Sequence, residues 1–140
     1  MKHKHSVSHA YKKRNTVEIP NLYRRAKQLA VYPTTTQELF RIAAELPVDQ
    51  FYIPDDAALR YVRSRWIHGA NKEFLSPYKK RNFEALYDTV CKMMQEEKYR
   101  ALGLATTTII ALSRPAPCVG LTPFLIHKIY VRHNKKNNKE

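Results

Sequence analysis

Ser76-Pro77-Tyr78-Lys79-Lys80-Arg81-Asn82-Phe83-Glu84-Ala85-Leu86-Tyr87-Asp88-Thr89-Val90-Cys91-Lys92-Met93-Met94 is the stretch that decides the fold class. A serine hydroxyl accepts a backbone N–H at a helix start, and the proline after it lacks the N–H that a first turn would leave unpaired. Phe83, Leu86, Tyr87, Val90 and Met94 then recur at helical spacing. They lay an apolar stripe along one long helix predicted to reach about Tyr99.

Downstream, Gly103 ends that region. Residues 104–112 mix the β-favouring run Thr106-Thr107-Thr108-Ile109-Ile110 with Ala105, Ala111 and Leu112, and helix is the preferred reading. Pro115 and Pro117 break the chain, and Cys118-Val119 reads as extended. Thr122-Pro123 repeats the cap-then-proline device and starts a last helix. That helix is expected to bury Phe124, Leu125, Ile126 and Ile129 and to point Lys128 and Arg132 outward.

Upstream, Gly69 closes a helix that opens at Pro54-Asp55-Asp56, where two carboxylates suit the positive end of the helix dipole. Leu59, Val62 and Trp66 make its predicted buried stripe. Before it, Val48–Ile53 is either a short strand or an apolar loop plug. An earlier helix has a capping box, Thr35 with Glu38, carries Leu39, Ile42, Ala43 and Leu46 on one face, and stops at Pro47. The first helix is expected to begin at Pro20, to carry Leu22, Ala26, Leu29 and Ala30, and to close at Pro33.

These elements predict a mainly α protein, a small single-domain bundle of five or six helices over residues 19–133, with a short two-stranded β-ribbon as an optional addition. Residues 1–18 mix His, Lys and Ser without periodicity and read as a disordered basic arm; residues 134–140 read as a basic tail. Setting residues 36–63 against 104–131 pairs Ile42 with Ile110, Ala43 with Ala111, Pro47 with Pro115 and Arg60 with Lys128. Either an internal duplication or shared helix punctuation produces such a match. If the units are duplicates, their extended pieces are placed to pair as the ribbon.

Charge sets the functional class. The 140 residues carry a formal net charge of +13, from 25 Lys and Arg against 12 Asp and Glu. Much of the excess lies near the ends, in Lys2, Lys4, Lys12, Lys13 and Arg14 and in Lys128, Arg132, Lys135, Lys136 and Lys139. Each Lys or Arg that replaces a condensed counterion on a phosphate gains salt-sensitive affinity, so the expected partner is a polyanion.

Three further clusters sharpen that expectation. Arg60, Arg63 and Ser64 fall within about one helical turn of one another, either as a phosphate-contacting group or as a solvated face. Arg65 is read as the partner of an acid. The turn from Pro47 to Ile53 is too long for a well-matched helix-turn-helix. Lys79, Lys80 and Arg81 crowd a helix N-terminus against its dipole, an arrangement that an anion would relieve. The word Tyr-Lys-Lys-Arg-Asn at residues 78–82 also occurs at Tyr11-Lys12-Lys13-Arg14-Asn15, as two copies of one anion-contacting element or as a recurring basic word.

Other chemistries find little support. Cys91 and Cys118 stand in no zinc-ligand spacing and read as small buried residues. His68, His127 and His133 have no partner at ligand spacing, and His3 near the N-terminus reads as part of a solvated tail. No phosphate-loop, dinucleotide, zinc-protease or nucleophile-elbow pattern occurs, so no cofactor and no catalysis are expected. No secretory leader and no membrane-length apolar run are visible, which suggests a soluble cytoplasmic protein that does not enter membranes.

The expected function is therefore non-catalytic nucleic-acid binding, with DNA slightly preferred to RNA because the candidate readers are helices. The alternative is an assembly module docking on an acidic partner or within a nucleoprotein particle. In that reading, the stripe at residues 83–94 is partly exposed and pairs with a second copy as a homo-oligomer.

Overall fold

The computed structural model describes residues 9–30, 34–69 and 76–138, with side chains to residue 135. The chain opens with α1 (His9–Lys13), a π-helical turn (Arg14–Glu18) and α2 (Ile19–Leu29), which join as one unbroken rod. There follow α3 (Thr36–Glu45), α4 (Asp55–His68), α5 (Pro77–Met93), α6 (Glu97–Leu102), α7 (Leu104–Ala111) and α8 (Pro123–Asn138). Counting the rod once gives seven helices and no strand among the described residues.

Three of the predicted caps form as the residue types dictate. Thr35 Oγ1 accepts from Glu38 N at 3.1 Å, Ser76 Oγ from Lys79 N at 3.3 Å, and Thr122 Oγ1 from Leu125 N at 3.2 Å. Gly69 stops α4 in the left-handed conformation at φ +79°. Residues 104–111 are helical, as preferred. The β-branched Thr107 and Thr108 are tolerated there because their hydroxyls bond the carbonyls of Tyr99 and Leu104.

The helix count exceeds the expected five or six because the predicted 76–99 helix divides. Glu96 is extended, at φ −93° and ψ 138°. Arg100 Nη1 reaches back to the carbonyls of Met94 (3.2 Å) and Gln95 (2.7 Å), satisfying acceptors that the ended helix leaves unpaired. Residues 9–18 also correct the sequence reading, since they are helical and not an irregular arm; residues 1–8 lie outside the described residues, as does Pro33. Pro20 is likewise not a helix start. Its missing N–H and its ring conflict with a regular turn before it, and the π turn absorbs the conflict, with Ile19 N–H bonding Arg14 O.

The helices fall into two packing groups. In one, α2 packs on α3 and α3 on α8; in the other, α4 and α5 both pack on α7. The segments 46–54 and 112–122 connect the helices through the middle, and their Val48, Phe51, Ile53, Ala116, Val119 and Leu121 are all buried. The expected ribbon does not form. In its place, Val48 and Ala116 exchange two backbone bonds of 3.0 and 2.9 Å as an isolated antiparallel bridge. Leu46 N–H already closes α3 on Ala43 O, and Pro47, Pro115 and Pro117 supply no donors, so a ladder cannot extend.

Val48 and Ala116, the starts of α3 and α7, and the starts of α4 and α8 are each 68 residues apart. The contacts follow the same exchange, with α3 on α8 and α4 on α7. The bridge thus joins two segments that follow the same order of elements.

Several surface assignments change. Trp66 is 46% exposed, and α4 buries Ala58, Tyr61 and Val62 where the expected stripe was Leu59, Val62 and Trp66. The helix is 14 residues long and packs on an α7 of eight, so its last turn is covered less. Phe124 and Leu125 are exposed, contrary to the predicted burial, and only Ile126 of that run is fully buried. Of the expected stripe, Phe83, Leu86 and Val90 are buried in the protein's own core, and Tyr87 and Met94 are half-buried against it.

Candidate functional site

Arg14 opens the π turn. Its guanidinium lies 4.2 Å from the centre of the Tyr11 ring, and its Nε donates to Asn15 Oδ1 at 2.9 Å. Arg14 is half-buried, and among the described residues no carboxylate is paired with it. Burial pulls the guanidinium below its ordinary value, while Tyr11 beside it pulls the other way.

Arg14 opens into a cleft of about 200 Å³. The segments that build it are the first helical rod, residues 52–53, α4, α5 and residues 119–120. Among the described residues, three cations line it, Arg14, Arg60 and Lys79, and no Asp or Glu does. Both copies of the Tyr-Lys-Lys-Arg-Asn word thus contribute to one cavity, the first through Tyr11 and Arg14, the second through Lys79 and Asn82.

The wall behind the cations is fixed by buried polar contacts. Asn82, 2% exposed, donates from Nδ2 to Cys118 O at 2.7 Å and accepts from the Cys118 thiol at 3.3 Å. Gly120 presses against it at φ +88°, and a Cβ there would lie 2.9 Å from Asn82 Nδ2. Burial pushes the Cys118 thiol up, against a counter-pull from the Gly120 backbone and Arg81. On the opposite wall, Tyr52 donates its hydroxyl to the buried Glu18 at 2.9 Å. Burial, and then that bond, push the Tyr52 hydroxyl far above its ordinary value.

Arg60 also lines a second, shallower groove of about 490 Å³ along α4 with Arg63, Ser64, Ile67 and His68. Cleft and groove therefore share a residue and form one surface. Asp56 also lines the groove. Ile67 is 64% exposed, which places apolar surface among these cations.

The remaining candidate cations lie elsewhere. Arg81 pairs with Glu45 at 2.8 Å, and that hydrogen bond lifts its guanidinium above the ordinary value. Among the described residues Arg65 pairs with no acid; it donates to Tyr61 Oη at 3.1 Å and sits 4.4 Å from the Tyr87 ring centre, joining α4 to α5. Lys13 donates to Gln50, and Lys12 and Lys80 are exposed. Lys128, Arg132 and Lys135 are exposed on α8 and do not line the cleft. Lys136 belongs to α8, and its side chain lies outside the described residues.

Sequence reading missed Tyr52, which looked like part of an apolar plug, and the structural duty of Asn82. The repeated word was the available signal for the second. Among the described residues no cluster of three or more His, Cys, Asp or Glu is placed to hold a metal ion, and no helix is long and apolar enough to cross a membrane. Comparison with protein-family models, curated proteins and solved structures gives no match for this chain.

Proposed function

We propose that the protein binds nucleic acid without catalysis, through the cleft and the adjoining α4 groove, with DNA preferred to RNA because the elements that carry the groove are helical. The observation that carries this reading is the convergence of Arg14, Arg60 and Lys79 on a cavity with no Asp or Glu among its described lining residues. Arg63 and Ser64 extend it along α4. Lys12, Lys13, Lys80, Arg81, Lys128, Arg132, Lys135 and Lys136 add long-range attraction, which salt screens strongly.

The test is retention on DNA and RNA as a function of salt. Replacing Arg60, Arg63 and Lys79 together with Gln is expected to lower the steepness of log K against log salt by roughly two to three, since each phosphate contact contributes about 0.9 for duplex DNA and about 0.7 for single strands. Absence of binding to either polymer at low salt would defeat the reading.

One observation favours a second reading, an assembly module. Phe124 is 72% exposed at a groove lined also by Phe40, Arg41 and His127. A stable oligomer without nucleic acid, together with indifference to both polymers, would establish that reading in place of the first.

A further inference from the structure

A cavity enclosed by five chain segments does not resemble a track for a continuous strand. The α4 groove, by contrast, is shallow and lies along a single helix. Arg60 belongs to both, so a strand lying in the groove would bring one of its ends to the cleft.

The charge of the cleft distinguishes between kinds of phosphate. An internal phosphodiester carries one negative charge, whereas a phosphate monoester carries about −1.5 to −2 near pH 7 and presents three acceptor oxygens. Arg14 and Lys79, with Arg60 beside them and no acid among the described lining residues, suit the second better. Arg14 contributes a planar fork able to meet two oxygens at once, and its half-burial means that much of its hydration is already lost on folding. The Tyr11 ring beneath it holds the fork in place at 4.2 Å. Asn82 and Gly120, pinned against each other, hold that part of the lining in place.

We infer that the cleft receives the terminal phosphate monoester of a nucleic-acid strand whose body lies along the α4 groove. The inference rests on the nucleic-acid reading above. It adds that this protein recognises an end.

The experiment uses the full chain and single strands of one sequence in three forms, bearing a 5′-phosphate, a 3′-phosphate or hydroxyls at both ends, with affinity read by fluorescence anisotropy. One phosphorylated form is expected to bind about tenfold more tightly than the hydroxyl form, a gain in the range of one charge-assisted bidentate contact. Which form gains identifies the end. Millimolar inorganic phosphate is expected to erase the preference while leaving binding of the hydroxyl strand in place. Lys79→Gln, at an exposed position that keeps the fold intact, should remove most of the preference. Arg63→Gln should weaken all three strands alike and leave their ratio unchanged. Equal affinity of the native protein for all three forms would overturn the end-recognition inference while leaving nucleic-acid binding standing. Failure to bind any of them would overturn both.

Discussion

The two copies of Tyr-Lys-Lys-Arg-Asn share a local geometry and differ in everything beyond it. In each, the arginine folds back over the tyrosine three residues earlier, Arg14 at 4.2 Å from the Tyr11 ring centre and Arg81 at 5.4 Å from that of Tyr78. This is the contact that helical spacing at i and i+3 favours. Tertiary surroundings then separate them. Arg81 meets Glu45, whereas Arg14 meets no carboxylate among the described residues and lines the cleft. Asn15 is half-buried and accepts from its neighbour Arg14; Asn82 is buried and ties α5 to a chain segment 36 residues away. The arginine of the word thus faces the cleft in one copy and an internal acid in the other, while the asparagine of the second copy is a structural pin.

The largest expected effect tests the asparagines. Asn82→Ala removes the donor to Cys118 O and leaves that buried carbonyl without its bond, at a cost of about 2–3 kcal/mol. Asn15→Ala, by comparison, should stay within about 0.5 kcal/mol. Urea unfolding of both variants measures the gap. Similar losses would mean that the two words play the same structural part.

How much of this was legible follows from how far each signal reaches. Ser76-Pro77, Thr35 with Glu38, Thr122-Pro123 and Gly69 act within a few residues, and each marks a helix boundary where the sequence placed one. Pro20 misleads because its local preference for a first turn is overridden by continuation of the rod through a π turn. The break at residues 94–96 contains neither Gly nor Pro and depends on Arg100 reaching back to the carbonyls. The burial of Trp66 and Phe124 was misjudged for a related reason, since periodicity shows which residues share a face and not how far the neighbouring helix extends. The repeated word could be seen, and so could the cations of α4. That Arg14, Arg60 and Lys79 converge is a product of chain topology, and no spacing within one helix encodes it.

An intermediate effect separates the arginines. Arg14→Gln should reduce affinity for a single strand by about tenfold, or about 1.4 kcal/mol, because a half-buried donor with no internal acid has its charge available to a ligand. Arg81→Gln should reduce it by less than about twofold, since Glu45 already neutralises that guanidinium. Competition anisotropy with both variants gives the ratio directly. If Arg81→Gln were the more damaging, the contrast between the copies would be reversed.

The smallest effect is the sharpest test of that cause. Glu45→Gln keeps the shape of the side chain and takes away the charge that occupies Arg81. Both partners are largely exposed, at 42% and 51%, so stability should change by no more than about 0.5 kcal/mol. Affinity for nucleic acid should rise by roughly twofold at low salt, and the gain should fade as ionic strength shortens the reach of an exposed charge. Combining Glu45→Gln with Arg81→Gln should cancel most of the gain, because the double variant restores the local charge balance. A gain of equal size in the single and double variants would trace the effect to the lost carboxylate alone, and Arg81 would then stand outside the binding surface.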